Sequence, residues 1–283
     1  GIVGYEIGAR LAAALHPNVW QRGYHNTPVI GIFGAVAAVA ILLDCDEEEM
    51  LDAFGHAGSF AGGLFEFLGE GADTKRFHPG KAARDAILAV ELAKRKISGP
   101  KHVLEGKHGF IKAFADGKIN LERLFDGLKS RYEIQNIYFK PYPCCRHLHG
   151  PIDAVKTLRK KANIQLQDIQ SITVGTYKVA SKHNHYQTES LLDAQMSIPC
   201  AVALALVYGD VNMNTFSEEK RSDDRVQTLL RKVQVEVDDV CEREYPKHRP
   251  AVVTITMNNG EKMVERVTVP KGEPTLPLTD KEL

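Results

Sequence analysis

Up to residue 134 no stretch of useful length alternates apolar and polar residues, whereas Ile169–Tyr177, Val233–Val237 and Ala251–Met257 all do. A period of two is the mark of a half-buried strand, and a spacing of three and four is the mark of a helix face. This change of period constrains the fold more than any other feature of the chain. It implies an all-helical domain over about residues 1–135, followed by an α+β domain over about 136–272, in a mainly α, two-domain protein.

Within the first part, Ile7, Leu11 and Ala14 lie on one face of a helix over Gly4–Ala14. After a Trp20–Thr27 loop, Val29–Leu43 reads as a helix buried inside the protein. Its small residues Gly31, Gly34, Ala35 and Ala38 would let neighbouring helices come close. Asp44 and Asp46 are capping residues, and Glu47–Glu49 suit the first turn of a helix over Glu47–Ala61. Further helices are predicted over Gly80–Ile97, Leu104–Phe114 and Leu121–Leu128, and a strand over Ile134–Lys140. In the second part, helices are expected over Pro151–Ala162 and Asp193–Tyr208. Asn258-Asn259-Gly260 is a hairpin turn joining Ala251–Met257 to a return strand over Met263–Val269. Thr279 with Glu282 three residues on reads as a capping box. A helix is therefore expected to begin where the sequence stops. The sequence also opens at Gly1 rather than Met, inside an apparent helix, so the chain is expected to be truncated at both ends.

Composition narrows the function classes. Lys+Arg and Asp+Glu are both 36, a net charge of zero. Such a chain has no global field to gather nucleic acid or anionic lipid, and neither partner is expected. The longest apolar run, Pro28–Leu43, has 16 residues, short of the ~20 a membrane span needs. Gly1–Arg10 lacks the basic and then apolar pattern of a secretory leader. The five cysteines, Cys45, Cys144, Cys145, Cys200 and Cys241, form no CxxC pair. Their odd count and irregular spacing point to a reducing, cytoplasmic setting. GxGxxG and GxxxxGK[ST] are absent, so a nucleotide-binding loop has no support.

Three segments are dense in titratable residues. Trp20–Thr27 places His25 just before the helix predicted from Val29. The N–H groups of that helix would suit a carboxylate, and the imidazole could act as acid or base. The competing reading is a capping loop in which His25 only bonds the backbone. Gly71–Lys81 gathers Lys75, Arg76, His78 and Lys81 ahead of the helix predicted from Gly80, a candidate anion site or else a solvated loop. Lys140–Asp153 holds Lys140, Cys144, Cys145, Arg146, His147 and His149. Zinc binding and a Cys–His nucleophile are both conceivable there. However, adjacent cysteines fit one ion poorly and no oxyanion motif accompanies them. Binding of an anionic substrate by Lys140, Arg146 and a histidine is the better reading. His183 and His185 form an HxH pair, but two ligands on a flexible loop do not make a metal site.

The segments GYEIGAR, QRGYHNTPVIGIFGAVAAVAILL, TKRFHPGKAARDAILAVELA, FKPYPCCRHLHGPIDA, DAQMSIPCAVALAL and PKGEPTLPLTDKEL together resemble the MmgE/PrpD family. The resemblance runs in order along essentially the whole chain. It implies a helical domain and an α+β lid domain with the site between them, and a returning C-terminal helical segment that would start in 273–283. It implies a homodimer without metal or organic cofactor. Carried over motif by motif, it puts the catalytic histidine at His25 and catalytic lysines at Lys75 and Lys140; substrate binding is expected of His78, Cys145, Arg146 and His149. Decarboxylases of the family carry a histidine where this chain has Cys145.

The substrates implied are di- and tricarboxylates. Lysine and arginine cations neutralise the carboxylates and acidify the adjacent C–H, while a histidine moves the proton. Loss of β-hydroxide makes a dehydratase, reprotonation on the other face an epimerase, and loss of CO₂ a decarboxylase. The leading expectation is a hydro-lyase acting on 2-methylcitrate, as in propionate catabolism, or on a related hydroxy-polycarboxylate. The alternatives are an epimerase or decarboxylase of iminodisuccinate or cis-aconitate type, a non-catalytic carboxylate-binding homologue, or an inactive fragment. His25, Lys75 and Lys140 are expected to line one pocket. Cys144 and Cys145 are expected to be thiols without a bound metal.

Overall fold

The computed structural model describes residues 1–283 and divides into two compact units, Gly1–Asn136 and Ile137–Leu283. In the first unit the main helices are α1 (Ile2–Leu15), α4 (Gly31–Leu42), α5 (Glu47–Phe60) and α7 (Thr74–Lys94). The shorter ones are α2 (Asn18–Gln21), α3 (Asn26–Val29), α6 (Phe67–Glu70), α8 (Phe110–Ala115) and α9 (Leu121–Phe125). Helix α4 packs against α1, α5 and α7. Ile32, Phe33, Val36 and Ala40 enter a core shared with Leu11, Leu15, Ala53, Ala57, Ala86 and Val90. The helices α1 and α4 touch through glycine: a Cβ placed on Gly34 would lie 2.4 Å from the Gly4 carbonyl oxygen. Helix α5 opens on a capping box, with Asp46 Oδ1 accepting from the Glu49 N–H and Glu49 Oε2 accepting from the Asp46 N–H.

Several sequence boundaries move. The burial expected along the whole Val29–Leu43 helix gives out at its C-terminal end, where Ile41 is 50% and Leu42 78% exposed. Helix α7 begins at Thr74 rather than Gly80 and carries Pro79 inside it. Proline disfavours helical geometry in the preceding residue, which is why the sequence suggests a later start. Only Phe110–Ala115 of the predicted Leu104–Phe114 helix forms. The strand predicted over Ile134–Lys140 is absent, and Glu133–Asn136 is a 3₁₀ turn. The Glu133 N–H donates to the buried Glu6 carboxylate, 2.7 Å away. Arg10, paired with Glu6, donates to the Asp126 and Arg131 carbonyls. This buried ion pair holds the end of the unit in turns.

The second unit is a small sheet covered by helices. Its helices are α10 (His149–Lys161), α11 (Lys178–Ser181), α12 (Leu191–Gln195), α13 (Ile198–Tyr208), α14 (Glu218–Arg221), α15 (Asp224–Leu230) and α16 (Asp239–Glu244). Its strands are β1 (Ile169–Thr176), β2 (Val233–Val237), β3 (Ala251–Met257) and β4 (Lys262–Val267), in the order β2-β1-β3-β4. β1 runs parallel to β2 and antiparallel to β3, and β3–β4 is the expected hairpin. Ile172, Val174, Val233, Val253 and Ile255 form a core with Ile152 and Val155 of α10 and Leu204 of α13. The helix predicted over Asp193–Tyr208 breaks at Met196–Ser197, where the Ser197 hydroxyl accepts from the Cys200 N–H and caps α13. Residues 273–283 form no helix and group with this unit. No helix of the chain is long and apolar enough to cross a membrane.

Candidate functional site

In the first unit His25 is presented by a short crossing of two backbones. Tyr24 and Leu64 form an isolated antiparallel bridge, and the His25 N–H donates to the Gly63 carbonyl at 3.0 Å. The half-buried ring packs edge-on against Phe65 and Phe67, with centroids 4.9 and 5.2 Å away. Its Nδ1 lies 2.7 Å from Nδ1 of His78, and its Nε2 lies 3.2 Å from the Thr27 hydroxyl. His25 does not sit at the start of the long helix. It precedes the four-residue turn α3, and α4 begins only at Gly31.

The start of α7 brings His78 to His25. Lys75, one turn earlier, acts on His25 electrostatically. Burial, then the charges of His78 and Lys75, push the His25 imidazole down to about 4. Burial and Lys81 lower His78 as well. Both rings are therefore neutral near pH 7. One Nδ1 carries the proton and the other accepts it. The anion cluster expected over Gly71–Lys81 is largely neutralised within the protein. Arg76 pairs with Asp73, and Lys81 pairs with Asp85 and donates to the Phe60 carbonyl. Lys75 and His78 are what this segment contributes beside His25.

In the second unit the segment 140–149 divides into two environments. Arg146 is 4% exposed and His149 fully buried. The guanidinium donates to Glu273 Oε1 from Nε and Nη2, to the Lys271 and Pro270 carbonyls, and to His149 Nδ1 at 2.8 Å. Burial, then Arg146 and Lys140, hold His149 down at about 3. The substrate contacts expected of Arg146 and His149 are corrected here. The donors of Arg146 are engaged inside the protein, and His149 has no exposed surface. Their work is to fix the Glu273 strap to the start of α10.

Lys140, Cys145 and His147 make up the other environment. Lys140 is exposed, and its Nζ donates to the Cys144 carbonyl at 3.3 Å. Cys144 lies in the core, and burial pushes its thiol up. Its neighbour Cys145 is half-buried, with Sγ 3.8 Å from His183 Nε2. No cysteine of the chain is in a disulfide. His147 Nδ1 is 2.5 Å from the Tyr177 hydroxyl, and its ring stacks on His183 with centroids 5.4 Å apart. Burial, then His183, Arg249 and Lys140, hold His147 down at about 3. One ligand atom from each of Cys145, His147 and His183 lies within 4.8 Å of the others. Sequence reasoning missed this group because His183 lies 38 residues from Cys145. The HxH pattern of His183 and His185 is its one signal in the sequence, and it reads as part of a flexible loop. In the structure that loop is held at both histidines: Ile198 donates to the His183 carbonyl at 2.8 Å, and the Ser197 hydroxyl donates to the His185 carbonyl at 2.6 Å.

The units carrying these two groups correspond to two known domains. The family model described as the MmgE/PrpD N-terminal domain matches residues 1–122, and that of the MmgE/PrpD C-terminal domain matches residues 142–283. The chain belongs to the MmgE/PrpD family. Among curated relatives, a cis-aconitate decarboxylase-like protein of Aspergillus oryzae is 30% identical over 100% of this chain and 61% of its own length. A cis-aconitate decarboxylase of Aspergillus terreus is 30% identical over 96% of the chain and 59% of its own. A mitochondrial 2-methylcitrate dehydratase of Yarrowia lipolytica is 24% identical over 96% and 54%. This MmgE/PrpD chain thus spans about six-tenths or less of the length of these relatives.

Proposed function

We propose that the protein is a polycarboxylate lyase and that its reaction is decarboxylation of a substrate of the cis-aconitate class. The observation that carries this is the His25–His78 contact beside Lys75. An imidazole backed by a second imidazole can take up a proton from solvent and, as the imidazolium, deliver it to carbon, and a lysine ammonium nearby can pair with a carboxylate. Both curated relatives at 30% identity bear cis-aconitate decarboxylase names. In such a step the C–C bond to the departing CO₂ breaks and its electron pair forms a new double bond. The old double bond takes up a proton at carbon. His25 is assigned that proton transfer, and Lys75 and Lys140 the pairing with carboxylates. His78 is assigned the positioning of His25.

Dehydration of 2-methylcitrate is the second reading. It is favoured by Cys145 standing where the resemblance puts a histidine in decarboxylases, and by the Yarrowia lipolytica relative. The test incubates the protein with cis-aconitate, 2-methylcitrate, citrate and iminodisuccinate, following CO₂ release, olefin formation and optical rotation. The first reading expects CO₂ from cis-aconitate, and the second expects an olefin from 2-methylcitrate without CO₂. Turnover of iminodisuccinate alone, or of nothing, would overturn both.

A further inference from the structure

We propose that Cys145, His147 and His183 form a three-ligand site for a first-row divalent cation, zinc in particular, with a fourth position open to an exogenous oxygen ligand. Zinc takes thiolate at ~2.3 Å and imidazole at 2.0–2.1 Å, which in a tetrahedron puts sulfur and nitrogen about 3.6 Å apart. The observed Cys145 Sγ–His183 Nε2 separation is 3.8 Å. No pair of ligand atoms in the group exceeds 4.8 Å. Closing the widest to a tetrahedral nitrogen pair takes at most about 1.5 Å of side-chain movement.

The surroundings are those of a prepared site rather than a chance meeting. Cys145 sits in an anchored turn: its N–H donates to the Gln195 carbonyl at 2.9 Å, and its own carbonyl accepts from Leu148. His147 is oriented by the Tyr177 hydroxyl, and Tyr177 is itself 1% exposed and stacked on Tyr245 at 4.3 Å. Metal-binding histidines characteristically have the second ring nitrogen held by such a partner. Cys144, the adjacent cysteine, points into the core and takes no part. Three protein ligands and an open place are the pattern of a reactive zinc, whereas structural zinc takes four.

Charge selects the fourth ligand. Arg249 and Lys140 act electrostatically on His147. Cations beside a metal oppose its binding, and a single thiolate offsets only part of that. A carboxylate oxygen in the open position would offset part of the remainder. Lys140 is shared with the reaction assigned above, but ion binding is read without substrate, so the two proposals stand or fall separately.

The test treats the purified protein with a chelator, removes it, and titrates with Zn²⁺ alone by calorimetry and with Co²⁺ alone by absorption. The expected result is one ion per chain, with a thiolate-to-cobalt charge-transfer band. Cys145→Ser should abolish that band, and His183→Ala should weaken zinc binding at least tenfold. Circular dichroism and a thermal melt report whether each variant is folded. If Cys145→Ser unfolds, His183→Ala, a change at a half-exposed loop position, decides the question. Binding well below one ion per chain would overturn the proposal. So would full-strength zinc binding in a folded Cys145→Ser or His183→Ala variant.

Discussion

His25 and His78, 53 residues apart in the chain, meet Nδ1 to Nδ1 at 2.7 Å. Two imidazole nitrogens at that distance hold one proton between them. Protonating both rings would set two cations against each other in a half-buried site beside Lys75.

The first prediction concerns activity against pH. His25 is pushed down to about 4, with Lys75 contributing after burial and His78. As the proton donor of the decarboxylation His25 works in its protonated form, so kcat/KM declines as pH rises above about 4, since that ratio reports the free enzyme. Lys75→Met removes a positive charge that opposes the imidazolium, so His25 becomes easier to protonate and the limb moves to higher pH. Profiles of the two proteins check the sign.

Stability against pH follows from the same pair. Both rings are lowered from an ordinary value of 6.5. Above pH 6.5 neither state takes up the protons, and the stability is fully present. Below it the unfolded chain binds protons that the folded rings refuse, so stability falls with falling pH until about 4. Urea midpoints at pH 7, 5.5 and 4.5 should decline in that order, and His25→Gln combined with His78→Gln should flatten the decline.

Arg146 separates a structural role from a substrate role. Breaking a buried pair by removing one partner costs about 3–5 kcal/mol. Arg146→Ala should therefore lower the denaturation midpoint strongly, and Glu273→Gln should do so to a lesser degree. An unchanged midpoint with a raised KM would restore the substrate contact suggested by the sequence.

Gly34→Ala tests the contact of α1 with α4. Its new Cβ would meet the Gly4 carbonyl oxygen at 2.4 Å, and backbone cannot move aside as a side chain can. Overpacking costs about 1–3 kcal/mol, against roughly 1 kcal/mol gained from alanine's helix propensity. A net loss of stability in urea unfolding is expected.

The elements legible in the sequence are those whose signal is local. The β3–β4 hairpin announces itself through the alternation of Ala251–Met257 and through Gly260, whose φ of +85° suits the turn. The capping box at Asp46 and Glu49 is likewise three residues wide. The rest depends on partners far along the chain. Ile134–Lys140 looks like a strand until Glu6, 127 residues from Glu133, accepts its N–H. In sequence His78 reads as a substrate-binding residue, and only folding shows its ring against His25. Arg146 and His149 look like binding residues because they are polar. Nothing local reveals Glu273 or the burial around them.

The most direct test is the turnover of cis-aconitate by His25→Gln, a change that keeps a polar side chain in a half-buried place. General acid–base catalysis contributes ~10²–10⁴-fold. The account predicts that CO₂ release falls by that factor at pH 7 while circular dichroism and the melting temperature stay close to the parent's. CO₂ release at near the parent rate by a folded His25→Gln protein would contradict it.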